Sequence, residues 1–473
     1  MPVRRIISIV LLVACPVRAA DLPDLGEVSR VTLSATEEAR IGREAMRQIR
    51  QSSEYLDDAV VDYYLAGLGD RLAAASQDPA QHFEFFPIND ASINAFAMPG
   101  GYVGVHTGLI SAARNESELA GVLGHEISHV TQHHIARMIE GQKTTGLASL
   151  AALAIAILAA RSNSQVSEAA IVTSQAAGIQ SQLNFTRENE READRFGLQT
   201  MTSAGFAPQG MVSFFERLQT QTRLYENNAP GYLRTHPLTH QRIADLQDRL
   251  SHLPAKGKSD SLEFQLVRAR VQSMEGDPAE AVKRFAQAAE SSPGPASWYA
   301  LTRASLRAGD LARARASLTR LEQAAPDSPM APELGVEIGL AANQPAKAAE
   351  LAALALKRFP GYRPLTYLRA QALLRAPNAE GALAFLEEEL RIFKADGRYY
   401  NLLAEAHQAL GHAAQSHLAQ ADAYVLQDMP EAAIEQLRLA QRETRTDFYT
   451  ASIIDARLRT LKEHQDKDTP KTR

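Results

Sequence analysis

The chain has 473 residues, too many for one ordinary hydrophobic core, so two or three domains are expected. Apolar residues make up 45% and charged residues 22%, a balance that excludes a disordered or fibrous chain. The formal net charge is −5 and no domain carries a strong basic excess, so no nucleic-acid partner is expected.

Residues 1–19 read as an export signal. Arg4 and Arg5 form a basic start, Ile6 to Ala14 a short apolar run, and Val17-Arg18-Ala19 a small-residue cleavage site. Cleavage there would remove three of the 50 basic and none of the 55 acidic residues, moving the charge from −5 to −8. It would also remove Cys15, the only cysteine, and with it any disulfide framework. Leu12-Val13-Ala14-Cys15 fits a lipoprotein box as well. Pro16 directly after it and the site at Ala19 favour a soluble exported product over anchoring at Cys15.

Residues 36–75 have apolar positions at helical spacing, among them Ile41, Ala45, Met46 and Ile49. Short strands are predicted over Phe83 to Ile88 and Ser92 to Ala97, and Pro99-Gly100-Gly101 turns the chain into Tyr102 to Val105. A long helix is predicted from Glu116 to Glu140, with Ala120, Leu123, Ile127 and Val130 on its apolar face. Gly146 to Ala160 carries no charge but is short for a membrane span. It reads as one arm of a helical hairpin over 146–182 that shields a cleft or, through residues 146–160, rests on a membrane surface. Another helix is predicted from Thr186 through Met201, stopping near Gly205. Residues 20–253 then form one domain and residues 254–262 a linker.

Beyond the linker the chain repeats. Gly276-Asp277, Gly309-Asp310, Asn343-Gln344, Pro377-Asn378 and Gly411-His412 recur at steps of 33, 34, 34 and 34 residues. Each pair precedes a helix with small residues at fixed offsets (Ala281, Ala314, Ala348), and Pro293, Pro326 and Pro360 end those helices. A period of 34 is that of tetratricopeptide helical hairpins. Residues 263–463 are read as such a solenoid, with Met429-Pro430 opening a capping helix, and residues 464–473 as a charged disordered tail. The expected fold class is α+β: a mostly helical first domain with a small sheet, then an α-solenoid of tetratricopeptide repeats.

Chemistry concentrates in Gly124-His125-Glu126-Ile127-Ser128-His129. Histidines four apart sit one turn apart on one helix face, so both can reach one zinc ion, and Glu126 beside them can deprotonate a water. His133 continues the same spacing, but three ligands on one straight face would spread over about 12 Å, too far for one ion. His133 and His134 are therefore read as surface or packing residues. The third ligand is expected from Asn189-Glu190-Arg191-Glu192-Ala193-Asp194. Glu190 would ligate, Asp194 four residues on would orient a ligand histidine, and Glu192 would be solvated. A rival reading makes the repeats the working part, a chaperone or scaffold with structural zinc; a carboxylate aimed at a metal-held water speaks against it.

The two motifs together resemble the zinc peptidases of the HtpX, Oma and CAAX-prenyl-protease type. Asn94-Ala95-Phe96-Ala97-Met98-Pro99-Gly100-Gly101, Gly108-Leu109-Ile110, Thr235-His236-Pro237 and Arg242-Ile243 match the same family. With an export signal and a repeat domain, the resemblance is to its periplasmic members. It implies an endopeptidase with one zinc ion per chain and a β-strand, here Ser92 to Ala97, that pairs with extended substrate. It further implies misfolded or stalled polypeptides as substrates, outer-membrane β-barrel precursors among them, with a chaperone role beside proteolysis. The implied partner of the repeats is the β-barrel assembly machinery. The matching histidine in those relatives acts as a plug, so His236 is expected as a fourth metal ligand that displaces the catalytic water. Stabilising the oxyanion is the alternative role for His236, and Arg242 is the other candidate for it.

Overall fold

The computed structural model describes residues 34–141, 186–224, 231–253, 257, 260–443 and 447–468. The export signal, the lipoprotein box and the uncharged hairpin at 146–182 lie outside the described residues. No helix among the described residues is long and apolar enough to cross a membrane.

Two helices occupy the stretch read as helical over 36–75, α1 (Ala35–Gln51) and α2 (Ala59–Ala73). The break is chemical: Asp58 accepts hydrogen bonds from the Val60 and Val61 amides and starts a new helix, an N-cap that apolar spacing does not register. Three strands follow, β1 (Glu84–Ile88), β2 (Ala95–Met98) and β3 (Tyr102–His106), in the order β1-β3-β2. β1 runs parallel to β3 and β2 antiparallel to it, so β2 is an edge. β2 begins three residues later than predicted. Asp90 accepts the Ser92 amide and Ser92 Oγ meets His106 Nδ1, which hold the preceding residues in a turn.

A short α3 (Thr107–Ala112) leads into α4 (Glu116–Thr131), capped by Asn115. The helix predicted to reach Glu140 stops here. His133 takes a positive φ of 52°, and α5 (His134–Gly141) starts in a new direction. Then come α6 (Arg187–Ser203), α7 (Gln209–Leu224), α8 (Gly231–Thr235) and α9 (His240–Leu250).

From Leu262 to Asp468 the helices α10 to α21 pair into hairpins, beginning with α10 (Leu262–Met274) and α11 (Pro278–Ser291), and ending with α20 (Pro430–Arg442) and α21 (Phe448–Asp468). The recurring residue pairs explain themselves here. Gly276, Gly309 and Gly411 adopt the left-handed conformation that ends one helix, while Asp277 and Asp310 cap the next. Asn343 adopts the same conformation at φ 56°. Ala281, Ala314, Ala348 and Ala382 are at most 1% exposed and let the paired helices close on each other. The last helix runs to Asp468, five residues into the tail predicted as disordered from residue 464.

The solenoid closes on the first domain rather than hanging from it. One buried cluster runs from Leu65 and Leu68 through Phe264 and Leu266 to Leu334 and Leu365. At its polar centre the Arg270 guanidinium on α10 bonds Asp58 (2.8 Å), Tyr299 Oη (2.8 Å), Glu333 (3.2 Å) and Glu337 (3.3 Å). Burial penalises the charge on Asp58, but Arg270 holds its carboxyl below the usual range. At a second point Arg398 pairs with Asp57 and Asp62. Arg270→Ala leaves the Asp58 carboxylate buried without its cation, which should destabilise the chain by about 3–5 kcal/mol. Urea unfolding followed by limited proteolysis at the linker measures this, and an unchanged midpoint would refute it.

Candidate metal centre

α4 opens with Asn115 accepting the Glu118 amide and carries two acids in its first turn. Glu118 is clamped by Arg217 of α7 at 2.6 Å, which fixes the helix against its neighbour. Along this helix His125 and His129 fall one turn apart, both 0% exposed. α6, capped by Thr186, presents Glu190 and Asp194 with the same four-residue spacing. The two helices cross where each has a glycine. A Cβ on Gly124 would lie 2.9 Å from the Gly197 carbonyl oxygen, and one on Gly197 2.8 Å from the His125 amide nitrogen. Only hydrogen fits between them.

That approach brings the polar groups to one point. His125 Nε2 and His129 Nε2 are 3.0 Å apart, and Glu190 lies 3.6 Å from the first and 3.4 Å from the second. His236, carried just past α8, places Nδ1 2.9 Å from Glu190 and 3.4 Å from His125 Nε2. One ligand atom from each of these four buried residues lies within 4.8 Å of every other. Imidazole nitrogens facing each other this closely cannot all donate and all accept; a cation among them resolves the conflict, so the donor set fits a divalent metal with N and O ligands.

The surrounding groups hold this arrangement. Asp194 Oδ1 is 3.1 Å from His125 Nδ1, the orienting contact expected from its spacing. Arg242, 2% exposed, binds Asp194 through two nitrogens at 2.7 Å and Glu190 at 2.6 Å. Burial disfavours charge on Glu190, yet the His236 ring and the Arg242 guanidinium beside it keep its carboxyl well below the usual range. Arg242 also donates to the Pro237 carbonyl, so its guanidinium engages Asp194, Glu190 and the segment that carries His236. Glu126 accepts the Ala97 amide of β2 at 3.0 Å through Oε2, and its Oε1 is 3.5 Å from His236 Nε2.

Two readings from sequence need correction. His134 is 0% exposed and bonds His129 Nδ1 at 2.9 Å, so it is neither a surface residue nor mere packing. Glu192 is only part-exposed and is paired with His134 at 3.1 Å and Arg137 at 3.0 Å. In an unbroken helix His134 would point about 140° away from His129; the turn at His133 brings it back, and the missed signal was the break. Tyr232 is a residue that spacing alone does not single out. Its ring stacks on His236 at 4.7 Å and its amide bonds the Ile93 carbonyl ahead of β2.

Known proteins resemble the chain at both ends of this architecture. The profile of peptidase family M48 matches residues 61–250, and a tetratricopeptide repeat profile matches residues 274–332. The β-barrel assembly-enhancing protease of Escherichia coli (strain K12) is 32% identical over 463 residues, covering 96% of this chain and 94% of that one. The protein of that name from Yersinia pestis is 36% identical over 255 residues, 54% of this chain and about half (52%) of that relative. Mitochondrial metalloendopeptidase OMA1 of Schizosaccharomyces pombe is 27% identical over 46% of this chain and 63% of its own. A centre of two helix-borne histidines and a glutamate, with a relative matched along nearly its whole length, has one family reading: the chain belongs to the M48 peptidases.

Proposed function

We propose that this chain is an exported zinc endopeptidase that cleaves misfolded or stalled polypeptides, outer-membrane β-barrel precursors among them, and rests in a latent state closed by His236. The observation that carries the reading is the convergence of His125, His129, Glu190 and His236 on one point with Glu126 beside them. His125, His129 and Glu190 would hold the zinc. When bound it would polarise the scissile carbonyl and acidify a water. Glu126 takes the proton from the attacking water and delivers it to the leaving amine as the C–N bond breaks. Asp194 orients His125, and Arg242 keeps Asp194 and Glu190 ionised and aimed. The outer edge of β2 would pair with an extended peptide and lay its backbone beside Glu126.

His236 gives the site a fourth protein ligand, the closed donor set of a resting or structural centre. The latent enzyme is preferred to a scaffold with structural zinc because Glu126 sits beside the His236 ring, which fills the space a catalytic water would take once His236 leaves. The names of the relatives and the sequence of residues 1–19 support a periplasmic location and outer-membrane protein assembly as the setting. The solenoid would serve that setting by docking assembly machinery or unfolded chains.

The purified full chain should contain one zinc per chain and digest unfolded casein slowly. Glu126→Gln should keep that zinc and lower kcat by roughly 10²–10⁴-fold; wild-type turnover with full zinc would reject the catalytic assignment. Glu190→Ala should lose the metal on dialysis, and retention at wild-type content would point to a different third ligand. With His236→Ala, zinc should stay bound while casein digestion speeds up. A slower variant with zinc still in place would make His236 a participant in catalysis instead of a plug.

A further inference from the structure

A metal centre uses only one nitrogen of each histidine, and what holds the other nitrogen decides which tautomer is available. For His125 the holder is Asp194. For His129 it is a second histidine. His129 Nδ1 lies 2.9 Å from His134 Nδ1, His134 Nε2 lies 3.1 Å from Glu192 Oε2, and Arg137 donates to that same oxygen at 3.0 Å. His134 is fully buried, whereas Glu192 and Arg137 are 29% and 37% exposed, so the line runs from the buried centre to the surface.

The protons along this line have one consistent arrangement. A Glu192 carboxylate only accepts, so His134 carries its hydrogen on Nε2. A neutral His134 then offers a lone pair at Nδ1, and His129 must donate to it from its own Nδ1. The lone pair of His129 is thereby left on Nε2, the atom that faces His125 and Glu190. We propose that His134, backed by Glu192 and Arg137, is a positioning residue that fixes the tautomer and ring plane of His129 for metal binding. This rests on the zinc centre proposed above.

The backbone is built around this contact. Only because the chain turns at His133, with φ 52°, does the first residue of α5 reach back under His129. A ring in place of a directly bonded carboxylate also has a physical use. Glu126, Glu190 and Asp194 already crowd the site with negative charge, and His134 passes on the hydrogen bond while keeping the Glu192 charge one ring further out.

The test uses the full chain loaded with zinc or cobalt. Transfer of zinc to a chelator measures affinity, the cobalt absorption spectrum reports ligand geometry, and circular dichroism reports folding. His134→Ala should weaken zinc binding roughly 10–100-fold and shift the cobalt bands. His134→Gln, whose carbonyl can still accept from His129, should recover most of both. Glu192→Ala, a change at a part-exposed residue, should move both readouts in the same direction by less. A folded His134→Ala with wild-type affinity and spectrum overturns the proposal, as does a glutamine variant no better than alanine. If the alanine variant does not fold, wild-type affinity and cobalt bands in Glu192→Ala overturn it. A wild-type chain that takes up neither metal overturns the zinc centre together with this inference, whereas normal wild-type uptake with inert variants removes only the role of His134.

Discussion

The site depends on the contact between Gly124 and Gly197. Helix axes usually stay 8–10 Å apart because side chains stand between them. Where α4 and α6 cross, neither has a side chain, and a Cβ on either would strike the other's backbone at under 3 Å. The residue after Gly124 is His125, and Asp194 lies one turn before Gly197 on α6. Pushing the helices apart by the width of a methyl group would take Asp194 off His125 and Glu190 off both histidines. The peptidase chemistry therefore rests first on the absence of two side chains.

Bringing the helices together also concentrates charge in a dry place. Glu126, Glu190 and Asp194 are each at most 4% exposed, and carboxylates that deep are tolerated only with partners. Arg242 supplies the permanent counter-charge to Glu190 and Asp194, while the Ala97 amide engages Glu126. Because Arg242 also grips the Pro237 carbonyl, the segment bearing His236 is tied to the residue that organises the ligands. Tyr232 ties the same segment to the start of β2 through the Ile93 carbonyl. The β2 edge, His236 and the candidate metal ligands thus form one connected set.

The solenoid belongs to this unit as well. Its first helix shares a core with α2, and Arg270 is buried among acids from both parts, at Asp58, Glu333 and Glu337. A buried ion network has strict geometry, since a misplaced member leaves an unpaired charge. Any movement of the repeats relative to the first domain would have to work against these pairs.

Much of this is readable in the sequence wherever the signal is local and periodic. The four-residue spacings of His125 with His129 and of Glu190 with Asp194 put each pair on one helix face, whatever those helices pack against. The 34-residue recurrence announces the helical hairpins because each turn needs a residue that tolerates positive φ followed by a cap, as at Gly309-Asp310. The fold class follows from the same patterns. What the sequence does not disclose is anything set by a change of direction or by contacts across long separations. The Asp58 cap divides a stretch read only as helical, the turn at His133 brings His134 and with it Glu192 up to His129, and Arg242 pairs with Glu190 and Asp194 across about fifty residues of chain. Residue spacing along a helix is fixed by the backbone and so is written in the chain; which helices touch, and which buried charges find each other, is decided only when the whole chain packs.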